Sequence, residues 1–376
     1  MTNTIQQANA HGQSIWYDNI RRGMIDSGEL QNLIDQGVTG LTANPTIFEK
    51  AISGSADYDA ALLKLAGAGK SLNEVYEDLV ISDIQSAADL LRPAYDRSDG
   101  VDGYASLEVN PHLASDTSGT VAEARRFFQA LHRPNVLIKV PATPEGIPAI
   151  RQLIGEGINV NVTLIFGLDT YQQVQEAYIS GLEQLAQRGG DLSQVASVAS
   201  FFVSRVDTAV DHELSRLAGN GSRDLSDLMG RAAVANAKLA YRSFQETFGT
   251  QRFAALKLKG ARVQRPLWAS TGTKNPAYSD VLYVDTLIGP NTVNTMPDAT
   301  LEAFLDHGQV SATVTQGVAE AQQAIRSLES AGVSLSAVTS KLLADGVKAF
   351  ADSFDQLMGN IGGKRSVLLS AANSLR

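Results

Sequence analysis

Lys139 stands in Val136-Leu137-Ile138-Lys139-Val140-Pro141-Ala142-Thr143, a run otherwise suited to a strand buried on both faces. Burying an ammonium costs several kcal/mol unless it is paired or loses its proton. Desolvation favours the second outcome and lowers a lysine's pKa from ~10.4 toward neutrality. A neutral amine can attack a ketone carbon and form a Schiff base. Two plainer roles stay open for such a lysine: a stem that snorkels to the strand end, or an ion pair with a carboxylate.

Seven more strand-like runs surround this one, most of them ending in a polar residue. Before it come Ser14-Ile15-Trp16-Tyr17-Asp18, Val38-Thr39-Gly40-Leu41-Thr42-Ala43-Asn44 and Tyr104-Ala105-Ser106-Leu107-Glu108-Val109. After it come Asn159 to Phe166, Val195 to Val203, Pro266 to Ser270 and Leu282 to Ile288. Such short runs without strict alternation suit parallel strands covered on both sides. Stretches of helical period lie between them, such as Glu123 to Leu131, Pro148 to Ile154 and Tyr171 to Leu185. The repeated alternation predicts an α/β fold, a single (β/α)₈ TIM-type barrel, whose active-site groups gather at the strands' C-terminal ends. Asp18, Asn44, Glu108, Lys139, Thr163, Ser200 and Ser270 would then project toward one mouth.

At 376 residues the chain is long enough for one such barrel plus about a hundred residues of decoration. We expect one domain over residues 1–376, with a helical insertion at 205–264 and a helical C-terminal extension at 310–376. Ile47 to Leu91 holds two helix-like stretches broken around Gly67-Ala68-Gly69. The 205–264 insertion reads as a helix to Leu217, a break at Gly219-Asn220-Gly221-Ser222, and a long helix from Asp224 to about Phe248. The extension has helical period throughout, with breaks expected near Gly332 and Gly359-Asn360, and should pack across the barrel.

A formal net charge of -9 and no basic stripe argue against a nucleic-acid partner. An anionic ligand must therefore be met by a local cluster of Arg or Lys. The absence of cysteine excludes disulfides, thiolate metal sites and cysteine nucleophiles. Met1 to Ser14 lacks the regions of a signal peptide, and no apolar run approaches the ~18 residues of a membrane span. The expectation is a soluble, cytoplasmic protein without a membrane partner, with monomer and homodimer both open. The five histidines show no metal-ligand spacing, and no glycine fingerprint for a dinucleotide occurs, so neither metal nor organic cofactor is expected. Gly69-Lys70-Ser71 and Gly363-Lys364 lack the first glycine of a phosphate loop and read as surface loops. Trp16, Trp268 and Phe201 read as barrel packing.

Five segments in order resemble the signatures of the transaldolases, over nearly the whole chain. Gly37 to Phe48 is similar to the first; its usual core, Thr-(Ser/Thr)-Asn-Pro, is here Thr42-Ala43-Asn44-Pro45. Asn135 to Ile147 resembles the Schiff-base lysine signature, and Asn161-Val162-Thr163-Leu164-Ile165-Phe166 follows it. Leu267 to Pro276 and Asn291-Thr292-Val293-Asn294-Thr295-Met296-Pro297 resemble the longer bacterial and plant-type branch. The resemblance implies a metal-free, class I aldol transfer of the pentose phosphate pathway. A dihydroxyacetone unit would pass from sedoheptulose 7-phosphate or fructose 6-phosphate to glyceraldehyde 3-phosphate or erythrose 4-phosphate, the sugar phosphates being the only partners implied.

By the same resemblance Lys139 would form the imine, with Glu108, across the barrel from it, as general acid/base through a water that Thr163 holds. Asp18 would take the proton from the C4 hydroxyl. Asn44, Asn161 and Ser200 would bind the dihydroxyacetone hydroxyls against Phe202. Arg205 and Ser270 would hold phosphate. Shorter family members place an arginine two residues after that serine, where this chain has Gly272, so Lys274 becomes the substitute candidate. Two other readings stay open: release of free dihydroxyacetone, as in fructose 6-phosphate aldolases, and a barrel that binds sugar phosphates without chemistry.

Overall fold

The computed structural model describes residues 2–219 and 224–374. Eight parallel strands close into a barrel in chain order. They are β1 (Gln13–Tyr17), β2 (Gly40–Thr42), β3 (Tyr104–Glu108), β4 (Val136–Pro141), β5 (Val160–Ile165), β6 (Ser197–Phe202), β7 (Arg265–Ala269) and β8 (Thr292–Met296). Before β3 lie α1 (Thr4–Ala10), α2 (Arg22–Asp26), α3 (Glu29–Gln36), α4 (Pro45–Gly54), α5 (Asp59–Gly67) and α6 (Leu72–Arg97). Between β3 and β7 come α7 (Thr117–Leu131), α8 (Gly146–Gly155), α9 (Leu168–Gln187), α10 (Ser204–Gly219), α11 (Ala232–Phe248) and α12 (Gln251–Lys257). The last are α13 (Leu282–Asp285), α14 (Asp298–His307), α15 (Val318–Ser330) and α16 (Leu335–Ser374). This is the (β/α)₈ barrel that the alternation predicts. All strand residues are buried, since helices cover the outside and side chains fill the inside.

The eighth strand is not where the apolar run suggests. Leu282 to Ile288 forms the one-turn α13 and its exit, and the strand is Thr292–Met296. Tyr283, Val284, Leu287 and Ile288 are the buried residues of the run, a helical spacing that a strand would not give. The true strand carries Asn294 and Thr295 toward polar partners, which hides it from a search for apolar runs.

A charged layer seals the N-terminal end of the barrel. Asp102 accepts from Trp16 Nε1 at 2.7 Å, from Thr39 Oγ1 at 2.8 Å and from the Ser14 hydroxyl. The buried Arg265 guanidinium donates to the Thr292 carbonyl at 2.7 Å and the Val101 carbonyl at 3.1 Å. Trp16 lies flat on β2: a Cβ at Gly40 would come within 2.5 Å of its ring, which is why glycine stands there. Trp268 and Phe201 meet edge to face at 6.2 Å, as barrel packing.

The 205–264 and 310–376 segments are largely helical where described, and they depart from the expected breaks at two places. Residues 220–222 of the expected Gly219–Ser222 break lie outside the described residues. The second helix of the 205–264 segment begins at Ala232 and not at Asp224, because Gly230 turns the chain at φ +69. No break occurs at Gly359-Asn360, and Gly363-Lys364 is no loop; both lie inside the 40-residue α16. A glycine costs a helix interior only about 1 kcal/mol, and packing outweighs it here. Leu357 and Ile361 are fully buried, Asn360 Nδ2 donates to Glu49 at 2.8 Å, and Lys364 Nζ donates to the Ile52 carbonyl and Asp59. Gly69-Lys70-Ser71 is a turn as expected, Ser71 forming a capping box with Glu74 at the start of α6.

Asp207 on α10 ties the insertion to the barrel. Its carboxylate accepts from the Ala233 amide at 2.7 Å and from Tyr283 Oη at 2.8 Å, and burial pushes its pKa up to about 6. The folded chain therefore holds this proton more tightly than the unfolded one. The associated stability is present below pH 4 and is lost as pH rises through 6. Urea titrations of wild type and Asp207→Asn at pH 4.5 and 7.5 should diverge by roughly 2–3 kcal/mol at most, wild type losing more toward pH 7.5. Parallel pH dependences would mean that Asp207 is charged throughout.

Candidate active site

At the C-terminal mouth of the barrel, Lys139 of β4 sits beside Glu108 of β3 in register, on neighbouring strands and not across the barrel. Both side chains are buried, at 4% and 6% exposure. Lys139 Nζ donates to the Ala43 carbonyl at 3.0 Å and lies 3.4 Å from Glu108 Oε2. The Ala43 contact uses the backbone, so replacing the family's usual Ser/Thr by alanine leaves it intact. Burial pushes the Glu108 pKa up against the opposing charge of Lys139, with Asp18 adding to the rise.

Thr163 is fully buried on β5 with its hydroxyl lacking a hydrogen-bond partner in the described residues, and Glu108 Oε2 is likewise without one. A β-bulge between Val162 and Ile165 shapes this strand end, with Leu164 at φ +58. The bulge presses Leu164 against Gly346 of α16, where an added Cβ would lie 3.0 Å from it. The same strand end thus carries Thr163 and braces the helix above it.

Asp18 ends β1 and accepts from Thr42 Oγ1 at 2.6 Å; Thr42 in turn meets Thr295 Oγ1 at 2.7 Å. Part of its surface opens on the cavity, but protein surrounds the carboxyl, and burial raises its pKa. The charge of Lys139, the Thr42 bond and the charges of Arg205 and Lys274 oppose the rise. The two carboxylates thus differ in surroundings: one sits against the lysine, the other against hydroxyls and the cations of the mouth.

A cavity of roughly 510 Å³ opens above these groups. Asp18, Asn44, Lys139, Thr163, Ser200, Phe202, Arg205, Ser270 and Lys274 all line it. Asn161 and Glu108 do not form its wall. Asn161 lies one layer lower, donating to Ser106 Oγ at 3.1 Å and accepting from Ser200 Oγ at 2.7 Å. It thus fixes Ser200 from below. Asn44 caps α4, its Oδ1 accepting the Ile47 amide at 3.0 Å, which leaves its amide N–H groups for the cavity.

Arg205, just past β6, stacks its guanidinium on Phe202, 5.3 Å from the ring centre. Burial pulls its pKa down and Asp18 opposes this. Ser270 is held at φ +55, a strained region for a serine, with its hydroxyl 3.1 Å from that of Ser204 at the start of α10. A Cβ on Gly272 would lie 3.9 Å from Lys274 Nζ, so the lysine folds back over the glycine. Among the described residues no carboxylate pairs with Arg205 or Lys274. The described residues also hold no cluster of three or more side chains suited to a metal ion, and no helix long and apolar enough to cross a membrane.

Sequence reasoning missed several groups of this wall. Thr42 was findable, two residues before Asn44 on the same strand. Thr295 was hidden with β8. Phe350 of α16 and Lys50 of α4 also line the cavity, brought there by tertiary packing. α16 lies across the mouth, tied to α4 by Ser353 and Thr46 at 2.8 Å and to the loop after β3 by Asp355 and His112 at 2.7 Å.

Residues 15–361 match the family described as Transaldolase/Fructose-6-phosphate aldolase. The chain is 48% identical to Transaldolase 2 of Nostoc sp., an alignment covering 97% of this chain and 98% of that protein. It is 49% identical to the transaldolase of Saccharopolyspora erythraea, over 93% of this chain and 94% of the other. The transaldolase of Thermobifida fusca is also 49% identical, covering 96% and 98% respectively. A barrel that sets a buried lysine beside two carboxylates, matched end to end by such relatives, has its kinship settled: the chain belongs to the transaldolase/fructose-6-phosphate aldolase family.

Proposed function

We propose that the chain is a transaldolase that carries a dihydroxyacetone unit on Lys139 from a ketose phosphate to an aldose phosphate. The observation that carries this reading is the buried Lys139 amine within reach of Glu108, at the foot of a cavity whose far rim is cationic. Lys139 gives a proton to its surroundings and attacks the C2 carbonyl of fructose 6-phosphate or sedoheptulose 7-phosphate. Glu108, whose proton affinity is raised by burial, relays protons through a water bound against the Thr163 hydroxyl as the carbinolamine loses water. The protonated imine then takes the electron pair of the C3–C4 bond while Asp18 takes the C4 hydroxyl proton. The aldose phosphate leaves, and the enamine adds to the carbonyl carbon of a second aldose phosphate. Asp18 returns its proton to the new hydroxyl, and hydrolysis of the imine frees Lys139.

The Asn44 amide donates to the hydroxyls of the bound three-carbon unit, and Ser200 Oγ, whose own proton goes to Asn161, accepts from them, against the wall of Phe202. Arg205, Ser270 and Lys274 take the phosphate, the lysine over Gly272 standing in for the arginine of the shorter relatives. No metal or organic cofactor enters these steps, and on this reading the chain works as a single-domain enzyme of the pentose phosphate pathway in the cytoplasm.

The test is a transfer assay with fructose 6-phosphate and erythrose 4-phosphate. Formation of glyceraldehyde 3-phosphate should depend on the acceptor. Equal turnover without acceptor, with free dihydroxyacetone accumulating, would make the chain an aldolase instead.

A further inference from the structure

α4 turns one stripe of its surface to the catalytic cavity. Thr46, Ile47, Lys50 and Ala51 all line it, at the i, i+4 and i+1, i+5 positions of one helix face. Lys50 is the cation of that stripe. It is an exposed side chain, and among the described residues no carboxylate lies within ion-pair distance of it. Its neighbour Glu49 points elsewhere, accepting from Asn360 of α16 at 2.8 Å. In a chain of net charge -9, a lysine left unpaired beside a cavity that already presents Arg205 and Lys274 is out of keeping with a merely solubilising role.

The helix that carries it is held firmly. Thr46 Oγ1 donates to Ser353 Oγ at 2.8 Å, and Lys364 Nζ bonds the Ile52 carbonyl at 3.1 Å and Asp59 at 2.7 Å. Asn44 caps it at the cavity floor. The stem of Lys50 therefore starts from a fixed point on the β2 side of the mouth, whereas Arg205 and Lys274 come from the ends of β6 and β7. The latter two also line the groove between α10 and α16, on the outer side of that wall.

We propose that Lys50 is a further substrate-binding residue, which closes on the phosphate of the sugar from the wall opposite Arg205 and Lys274. This rests on the transaldolase reading for the identity of the ligand, and on the cavity wall for the contact. A phosphate dianion offers three oxygens, more than one arginine fork can use, and a lysine adds a point charge without demanding a fixed angle. Because the phosphate is remote from C2 and is held through the carbon–carbon bond change of each half-reaction, the contact should act equally on ground and transition states. Its loss should raise KM and leave kcat nearly unchanged.

The experiment compares Lys50→Ala and Lys50→Arg with wild type in two measurements. In the first, erythrose 4-phosphate and unphosphorylated erythrose serve as acceptors at saturating fructose 6-phosphate, with release of glyceraldehyde 3-phosphate as the readout. Lys50→Ala should raise KM for erythrose 4-phosphate about five- to twentyfold and change that for erythrose less than twofold, and Lys50→Arg should restore most of the loss. In the second, calorimetry with inorganic phosphate on the resting protein should show weaker binding in Lys50→Ala by a similar factor. Equal losses for both acceptors would assign Lys50 to the packing of α4, and no loss for either would leave it a solvated charge; each overturns the proposal. Should wild type show no transfer at all, the calorimetry still decides on Lys50, and the failure belongs to the proposed activity.

Discussion

Lys139→Ala should lose transfer by a factor of order 10⁴ or more in kcat, because among the described residues no second buried amine lines the cavity to serve as electron sink. The covalent step makes the same residue directly visible. Borohydride added with fructose 6-phosphate should fix a reduced three-carbon unit on the peptide carrying Lys139 and on no other lysine. Lys50 and Lys274 also line the cavity and are the natural controls, since a non-specific reductive amination would find exposed amines first. Both are exposed at the rim, whereas Lys139 is buried at 4% exposure beside Glu108. Label on either, or measurable turnover by Lys139→Ala, would take the Schiff base away from Lys139, and a wild type with neither label nor turnover would favour a barrel that binds sugar phosphates without chemistry. Folding of the variant is checked by its binding of inorganic phosphate, which does not involve position 139.

Much of this site is legible in the sequence because parallel strands buried on both faces leave little room for polar residues. A lysine, a glutamate or a threonine in such a run has to be explained, and in a barrel the explanation is a shared mouth. That logic reaches Lys139, Glu108, Thr163, Asp18 and Ser200 without reference to other proteins. It misplaces Glu108, which is the register neighbour of Lys139, because strand order and stagger are not written in any single run. It cannot tell Asn161 from Ser200, although only the serine reaches the cavity. Both are strand residues facing inward, and which of them meets the ligand depends on depth in the barrel.

The eighth strand fails for a related reason. The apolar content that marks α13 comes from the buried Tyr283, Val284, Leu287 and Ile288, while β8 carries two buried polar residues, Asn294 and Thr295, on successive positions. Thr271 Oγ1 donates to Asn294 at 2.9 Å, a bond that binds the end of β7 to β8 and can be inferred only after both are placed. The C-terminal helix is less legible still. Its glycines predict breaks, yet Gly346 is where Leu164 packs, and Gly359 and Gly363 are carried through by contacts with α4. Nothing local to Phe350 marks it as a wall of a cavity whose lysine lies 211 positions earlier in the chain.

Glu108 and Asp18 should fail in different ways, and the contrast tests the proton assignments. Both carboxyls have raised pKa values from burial, but Glu108 answers chiefly to Lys139, whereas Asp18 also has the Thr42 hydroxyl and two mouth cations to stabilise its charge. Asp18 is therefore suited to wait as the carboxylate that takes a proton from the C4 hydroxyl, and Glu108 to pass protons to and from water. Glu108→Ala should slow imine formation by roughly 10²–10⁴ yet leave some trappable adduct, because the covalent bond is made by Lys139. Glu108→Gln keeps the volume and separates lost proton transfer from a collapsed cavity. Asp18→Asn should let the imine form at close to the normal rate and then stop. Borohydride should trap the intact six-carbon sugar on Lys139, where wild type yields the three-carbon unit, and mass spectrometry of the peptide distinguishes the two. Turnover should fall by about 10²–10⁴ in this variant as well, so rate alone cannot separate the roles. The two adducts can. If Asp18→Asn gives the three-carbon adduct, carbon–carbon cleavage does not need Asp18, and the base for the C4 hydroxyl must be Glu108 acting through its water.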